Sequence, residues 1–187
     1  MTGPRILALD PSLTSTGVCR PNQETGLIIT GKLTGPERLA HIRDAVLALL
    51  ADVELVLIEA VPTHGAMSVA PLAGLGSVLR VAIYEAGISY VDVSPSTRAK
   101  FACGDQKSRD KDAVLARAIR AGSTANSNDE ADAYWLHRLA TAAYQPIDAL
   151  PKYQAEAVTG ITWPTIGNHQ PTVAKPNLPT KRKKQTS

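Results

Sequence analysis

The stretch Ile6-Leu7-Ala8-Leu9-Asp10-Pro11-Ser12-Leu13-Thr14-Ser15-Thr16-Gly17 decides how the rest of the chain is read. Four consecutive apolar residues between Pro4 and Pro11-Ser12 predict a short strand covered on both faces, as at the centre of a sheet. Asp10 ends that strand. A buried carboxylate without a partner is costly, so an acid in this place is paired, hydrogen-bonded or holding a cation. Asp-Pro-Ser is also good turn chemistry, and this fragment alone leaves turn and metal site equally open.

Working outward, Ser15 to Arg20 and Gly26 to Gly31 predict two further strands joined by the turn residues Pro21-Asn22-Gln23-Glu24, a meander. Pro36 and Glu37 open a helix whose apolar residues Leu39, Ile42, Val46, Leu49 and Leu50 recur at helical spacing. Leu55-Val56-Leu57-Ile58-Glu59 then repeats the opening signature, an apolar strand that delivers a carboxylate at its end. Functional groups of open α/β sheets cluster at strand ends, so Asp10 and Glu59 face one another if the two strands are neighbours.

Pro62 to Gly65 reads as a loop. From Met67 a long helix follows, in which Ala70, Ala73, Gly74 and Gly76 interleave with Val69, Leu72, Leu75, Leu79 and Ile83. Glycines weaken a helix, so this small-residue face implies close approach of another backbone, either the sheet or a second subunit. Ile88 to Val93 predicts a fifth strand, after Gly87 closes the helix. A short helix starts at Pro95 and another spans about Ser108 to Ala121, with Gly122 as its stop. The densest cationic stretch lies here, with Arg98, Lys100, Lys107, Arg109 and Lys111, but Asp105, Asp110 and Asp112 are mixed in, and surface solvation is the alternative reading for most of it. Asn126-Ser127-Asn128 supplies N-cap residues for a last core helix through Leu136, Leu139 and Ala140. Asp129 and Asp132, three apart, share one face of it, whereas Glu130 points elsewhere. Acids in a first turn also complement the helix dipole, which makes capping the alternative to catalysis. A short helix near Tyr153 to Val158 precedes a Pro-rich tail.

The chain has 187 residues, 44% of them hydrophobic, enough for one domain with a proper core. Cys19 and Cys103 lack disulfide or zinc spacing, and no apolar leader or membrane-length run occurs, so a soluble, reducing, cytoplasmic setting is expected. Charge is uneven: from Pro151 onward six Lys/Arg face one acid, Glu156, giving +5, while residues 1 to 150 carry 14 against 16, or −2. Lys181-Arg182-Lys183-Lys184 is a cationic block on a segment expected to be disordered, able to meet a polyanion or simply to aid solubility.

Asp10, Glu59, Asp129 and Asp132 are thus the candidate site. Four carboxylates suit hard cations, and two such ions about 4 Å apart activate water and stabilise the leaving oxygen in phosphodiester hydrolysis, with Mg2+ expected and Mn2+ able to substitute. This order of strands, helices and acids resembles the RNase H-like superfamily and, within it, the RuvC family of Holliday-junction resolvases of bacteria and their phages. The resemblance rests on Ile6 to Ser12 with Thr16-Gly17, on Leu57-Ile58-Glu59, on Lys111-Asp112-Ala113-Val114 and on Asp129-Glu130-Ala131-Asp132-Ala133, spanning roughly residues 5 to 142.

It implies an α/β fold with an RNase H-like mixed five-stranded sheet flanked by helices over residues 1–145, and a mostly flexible basic extension over 146–187. It implies a metal-dependent endonuclease acting on branched DNA, with Asp10 bridging two ions, Glu59 on one side and Asp129 and Asp132 completing the shell. A homodimer cutting four-way junctions symmetrically is also implied, without membrane or small-molecule cofactor, in the cytoplasm of a bacterium or a phage-infected host. Lys111 matches a DNA-contacting lysine of the family and Lys100 is a weaker match; Arg80, Lys107, Arg109 and residues 181–184 are further candidates for phosphate contact. The family commonly places an aromatic wedge shortly after the glutamate, where this chain has Pro62-Thr63-His64. Two other readings stand beside it. One is an actin-like ATPase or sugar kinase, whose phosphate loop Asp10-Pro11-Ser12-Leu13-Thr14 loosely imitates; the other is a binder that grips branched DNA without cutting.

Overall fold

The computed structural model describes residues 3–61, 69–104, 110–145 and 150–172. Five strands form one mixed sheet: β1 (Ile6–Asp10), β2 (Ser15–Cys19), β3 (Thr25–Ile29), β4 (Leu55–Glu59) and β5 (Ser89–Val93), in the order β3-β2-β1-β4-β5. The meander β1-β2-β3 is antiparallel, and β4 and β5 run parallel to β1. Parallel neighbours need crossovers, which the helices supply. These are α1 (Gly35–Ala48) and α2 (Val69–Glu85) before and after β4, then α3 (Pro95–Cys103), α4 (Lys111–Arg120), α5 (Asn128–Ala143) and α6 (Lys152–Thr159). None of the helices among the described residues is long and apolar enough to cross a membrane.

Successive strand residues point to opposite faces, so the apolar run of β1 is shared between two cores. Leu7 and Leu9, with Val56 and Ile58 of β4, pack under Ile42 and Val46 of α1 and Leu75, Leu79 and Ile83 of α2. Ile6 and Ala8, with Leu55 and Leu57, pack under Leu136 and Leu139 of α5 and Phe101 of α3. Alternation then sends Asp10 and Glu59 to this second face. Both acids therefore emerge toward α5.

After residue 145 the short helix expected near Tyr153 to Val158 is α6, and the segment around it packs on the core. Ala157 and Val158 of α6, Trp163 and Ile166 are buried in the α5-side core, and Tyr144 stacks edge-on against Trp163 while its hydroxyl donates to the Pro164 carbonyl at 2.7 Å. The Trp163 indole donates to Val158 O at 2.9 Å. Two aromatic rings and their satisfied polar tips keep this segment on the core as far as Ile166. The helix expected from Ser108 begins at Lys111, because Asp110 is its N-cap and accepts from the Ala113 amide at 3.1 Å. The expected loop at Pro62 to Gly65 lies outside the described residues.

Candidate active site

The register Ile6↔Leu55 through Leu9↔Ile58 sets the last residues of β1 and β4, Asp10 and Glu59, side by side at the C-terminal edge of the two central strands. On its other side Asp10 pairs with Gly17 of β2. α5 crosses this corner. Its N-cap Ser127 accepts from the Glu130 amide at 3.3 Å, and Glu130 turns back to accept from the Asn126 amide at 2.9 Å and from the Ser127 hydroxyl at 3.0 Å. That reciprocal cap occupies Glu130 and starts the helix where Asp129 and Asp132 share one face.

Arg98 completes the cluster. Its Nε donates to Glu59 Oε2 at 2.6 Å and Nη2 to Oε1 at 3.4 Å, while Nη1 donates to Asp132 Oδ1. Side-chain exposure is only 11–12% for all three partners, so solvent screens these pairs little. Local sequence explains the placement. Val93 of β5 pairs with Glu59, Ser94 caps α3 by accepting from Thr97, and Pro95 starts that helix, which brings Arg98 in its first turn over the end of β4. Sequence reasoning placed Arg98 within a cationic stretch and gave it no role. The signal that points to it is its place one helical turn after a strand that neighbours β4.

Negative charge exceeds positive here. Asp10 is pushed up from 3.8 to about 8, first by burial, then by Glu59 and Asp132, with Arg98 opposing. Asp132 is raised to about 6, chiefly by burial, against the pull of Arg98 and Lys111. Burial works against the charge of Arg98, but its hydrogen bond to Glu59 and the charges of Glu59, Asp132 and Asp10 outweigh that and hold it above its ordinary value. An excess of buried carboxylates is relieved either by protonation or by a cation, and an all-oxygen donor set fits a hard divalent ion. Among the described residues, however, no three His, Cys, Asp or Glu side chains are already gathered as a metal-binding group. The guanidinium holds the place between Glu59 and Asp132.

The other candidates are distributed around this corner. Lys111, exposed at the start of α4, is near enough to act on Asp132. Lys100 is paired with Glu156 of α6 at 2.8 Å, and Arg80 grips Asp92 through Nε at 3.0 Å and Nη2 at 2.6 Å. Lys107, Arg109 and residues 181–184 lie outside the described residues. The turn after Asp10 is closed on itself: the Ser12 amide donates to Thr16 Oγ1 at 3.1 Å, the Thr14 amide to Ser12 Oγ at 3.3 Å, and Thr16 Oγ1 to Ser12 O at 2.8 Å. Those amides are engaged.

Sheet order and crossovers give a mixed α/β fold that is shared with solved RuvC structures. No protein-family model and no curated protein sequence matches the chain. Solved structures do. RuvC of Thermus thermophilus in complex with a Holliday junction substrate superposes with a TM-score of 0.58 at 20% identity, over 74% of this chain and 93% of that one. A second structure of Thermus thermophilus RuvC gives 0.55 at 20% identity over 74% and 94%. The yeast mitochondrial Holliday junction resolvase Ydc2 gives 0.52 at 15% identity over 83% and 80%.

Proposed function

We propose that the chain is a divalent-cation-dependent endonuclease of branched DNA, which resolves four-way junctions by paired symmetric nicks. One observation carries the reading: Asp10, Glu59 and Asp132, from three separate elements, meet at the end of the central strands in a fold shared with a resolvase bound to a Holliday junction. Asp10, Glu59, Asp129 and Asp132 would hold Mg2+, which supplies an activated water and charge stabilisation at the leaving oxygen. Around it, Arg98 orients Glu59 and Asp132, and Lys111 offers a cation to a neighbouring phosphate. With only one Phe and 4% aromatic residues, phosphate contacts rather than stacking hold the DNA, so binding weakens steeply with salt.

A homodimer is part of this reading. Ala73, Ser77, Val81 and Tyr84 line the outer side of α2, with Val81 56% and Tyr84 77% exposed. A Cβ added at Gly74 would meet nothing within 4 Å, so no described neighbour in this chain requires that glycine. A second copy accounts for Gly74 better than the sheet does, whereas Gly76 is buried beside Val61 and Arg80 of its own chain.

The ATPase reading fares worse, because the Ser12 and Thr14 amides that would cradle a phosphate are already bonded to side chains. One observation favours the non-cleaving binder: Arg98 already neutralises two of the acids. A cleavage panel separates them. Four-way junction, fork, flap and linear duplex are incubated with Mg2+ or EDTA; symmetric nicks in the junction with Mg2+ alone are expected, and binding without nicks under any condition establishes the binder.

A further inference from the structure

Three acids, Glu59, Asp132 and Asp10, act on one arginine at this corner. Arg98 reaches two of them with different nitrogens, Nε and Nη2 on Glu59 of β4 and Nη1 on Asp132 of α5. Among the described residues it gives no hydrogen bond to Asp10 or Asp129. A guanidinium keeps its charge at any working pH, and its planar fork matches carboxylates on two sides. Joining oxygens from two elements and cancelling charge between them is what a bridging metal ion does. The side chain is 11% exposed, so it is built into the site rather than laid over it.

We propose that Arg98 is a resident cation that takes the place of one divalent ion between Glu59 and Asp132, so that the native chain accepts no more than one ion at this cluster. The inference rests on the reading of these acids as cation ligands, and is independent of whether the chain cuts DNA. Arg98 acts here as a positioning residue. Its departure is what would open a second place.

The test counts ions rather than turnover. Mn2+ is titrated into the full-length protein and the free aquo ion is followed by its electron paramagnetic resonance, for wild type and for Arg98→Gln. Wild type is expected to bind one ion per chain or none, and Arg98→Gln one more than wild type. Equal counts in the two proteins, or two ions in wild type, overturn the proposal. Recovery of Arg98→Gln in folded form only with Mn2+ present supports it, since the ion then replaces the guanidinium. If that variant is insoluble with and without Mn2+, the wild-type count decides: one ion upholds the proposal, and two or none overturns it. The nuclease reading separates cleanly. No ion in wild type with one in Arg98→Gln upholds the role of Arg98 and removes metal-dependent cleavage by the native chain, whereas two ions together with junction cleavage by wild type do the reverse.

Discussion

Gly17 lies directly beneath the first turn of α5: a Cβ added to it would fall 2.0 Å from the carbonyl oxygen of Asp129. Gly17 is also the residue paired with Asp10 across β1 and β2, so one missing side chain lets a helix bearing two acids settle against a strand bearing a third. Backbone cannot move aside as a flexible side chain does. Gly17→Ala is expected to lower stability by about 1–3 kcal/mol through overpacking. Displacing Asp129 by about 1 Å should reduce nicking by roughly 100-fold. Urea unfolding and single-turnover junction cleavage check the two effects, and unchanged cleavage would show that Asp129 has no part in the chemistry.

Glu130 tests the opposite case. It sits between Asp129 and Asp132 but spends its carboxylate on Asn126 and Ser127. Glu130→Ala is expected to cost about 1 kcal/mol of stability, as for other lost caps, and to leave the nicking rate of the folded protein near that of wild type. Thermal unfolding and cleavage measured on the same preparation decide this.

The two strands that end in acids, and the i, i+3 pair on α5, were legible because burial and periodicity act locally. Alternation along Ile6 to Asp10 and Leu55 to Glu59 is enough to say which face the carboxylates leave by, once the strands are neighbours. Arg98 was not legible as a site residue, since its partners lie 39 and 34 positions away and a basic residue in a mixed-charge stretch names neither. The same holds for Arg80 and Lys100, whose expected phosphate contacts compete with Asp92 and Glu156. Trp163 and Ile166 carry no sequence signal for another reason. They stand among Pro, Thr and Gly residues, with no periodic run to announce that they return to the core.

His137 gives a pH signature. Burial, and then the charge of Arg138, push its imidazole down from 6.5 to about 4. The folded chain keeps it neutral while the unfolded chain takes a proton below about pH 6.5. The unfolded state then binds more protons, so this contribution is present above that pH and is lost progressively as pH falls toward 4. By pH 5 the loss is about 2 kcal/mol. Asp10 and Asp132, raised to about 8 and 6, work the other way, since their folded forms take protons first. The difference in unfolding free energy between wild type and His137→Gln, followed from pH 7.5 to 5, isolates the histidine. It should shrink by about that amount, and a flat difference would contradict the assignment.

Among the described residues of α2, Tyr84 is the most exposed large apolar side chain. Placing a charge there, as Tyr84→Glu, should convert a dimer to monomer in light scattering while leaving the unfolding of the monomer little changed, because the residue touches no core. A wild-type protein that is already monomeric at every concentration would remove α2 as an interface.

Asp10 is the acid that three elements surround, and Asp10→Asn alters its charge with almost no change of shape. Junction binding and Mg2+-dependent nicking, measured on this variant beside wild type, bear most directly on the account. It predicts that the variant holds a four-way junction at least as tightly as wild type and no longer nicks it. Nicking at the wild-type rate would contradict it.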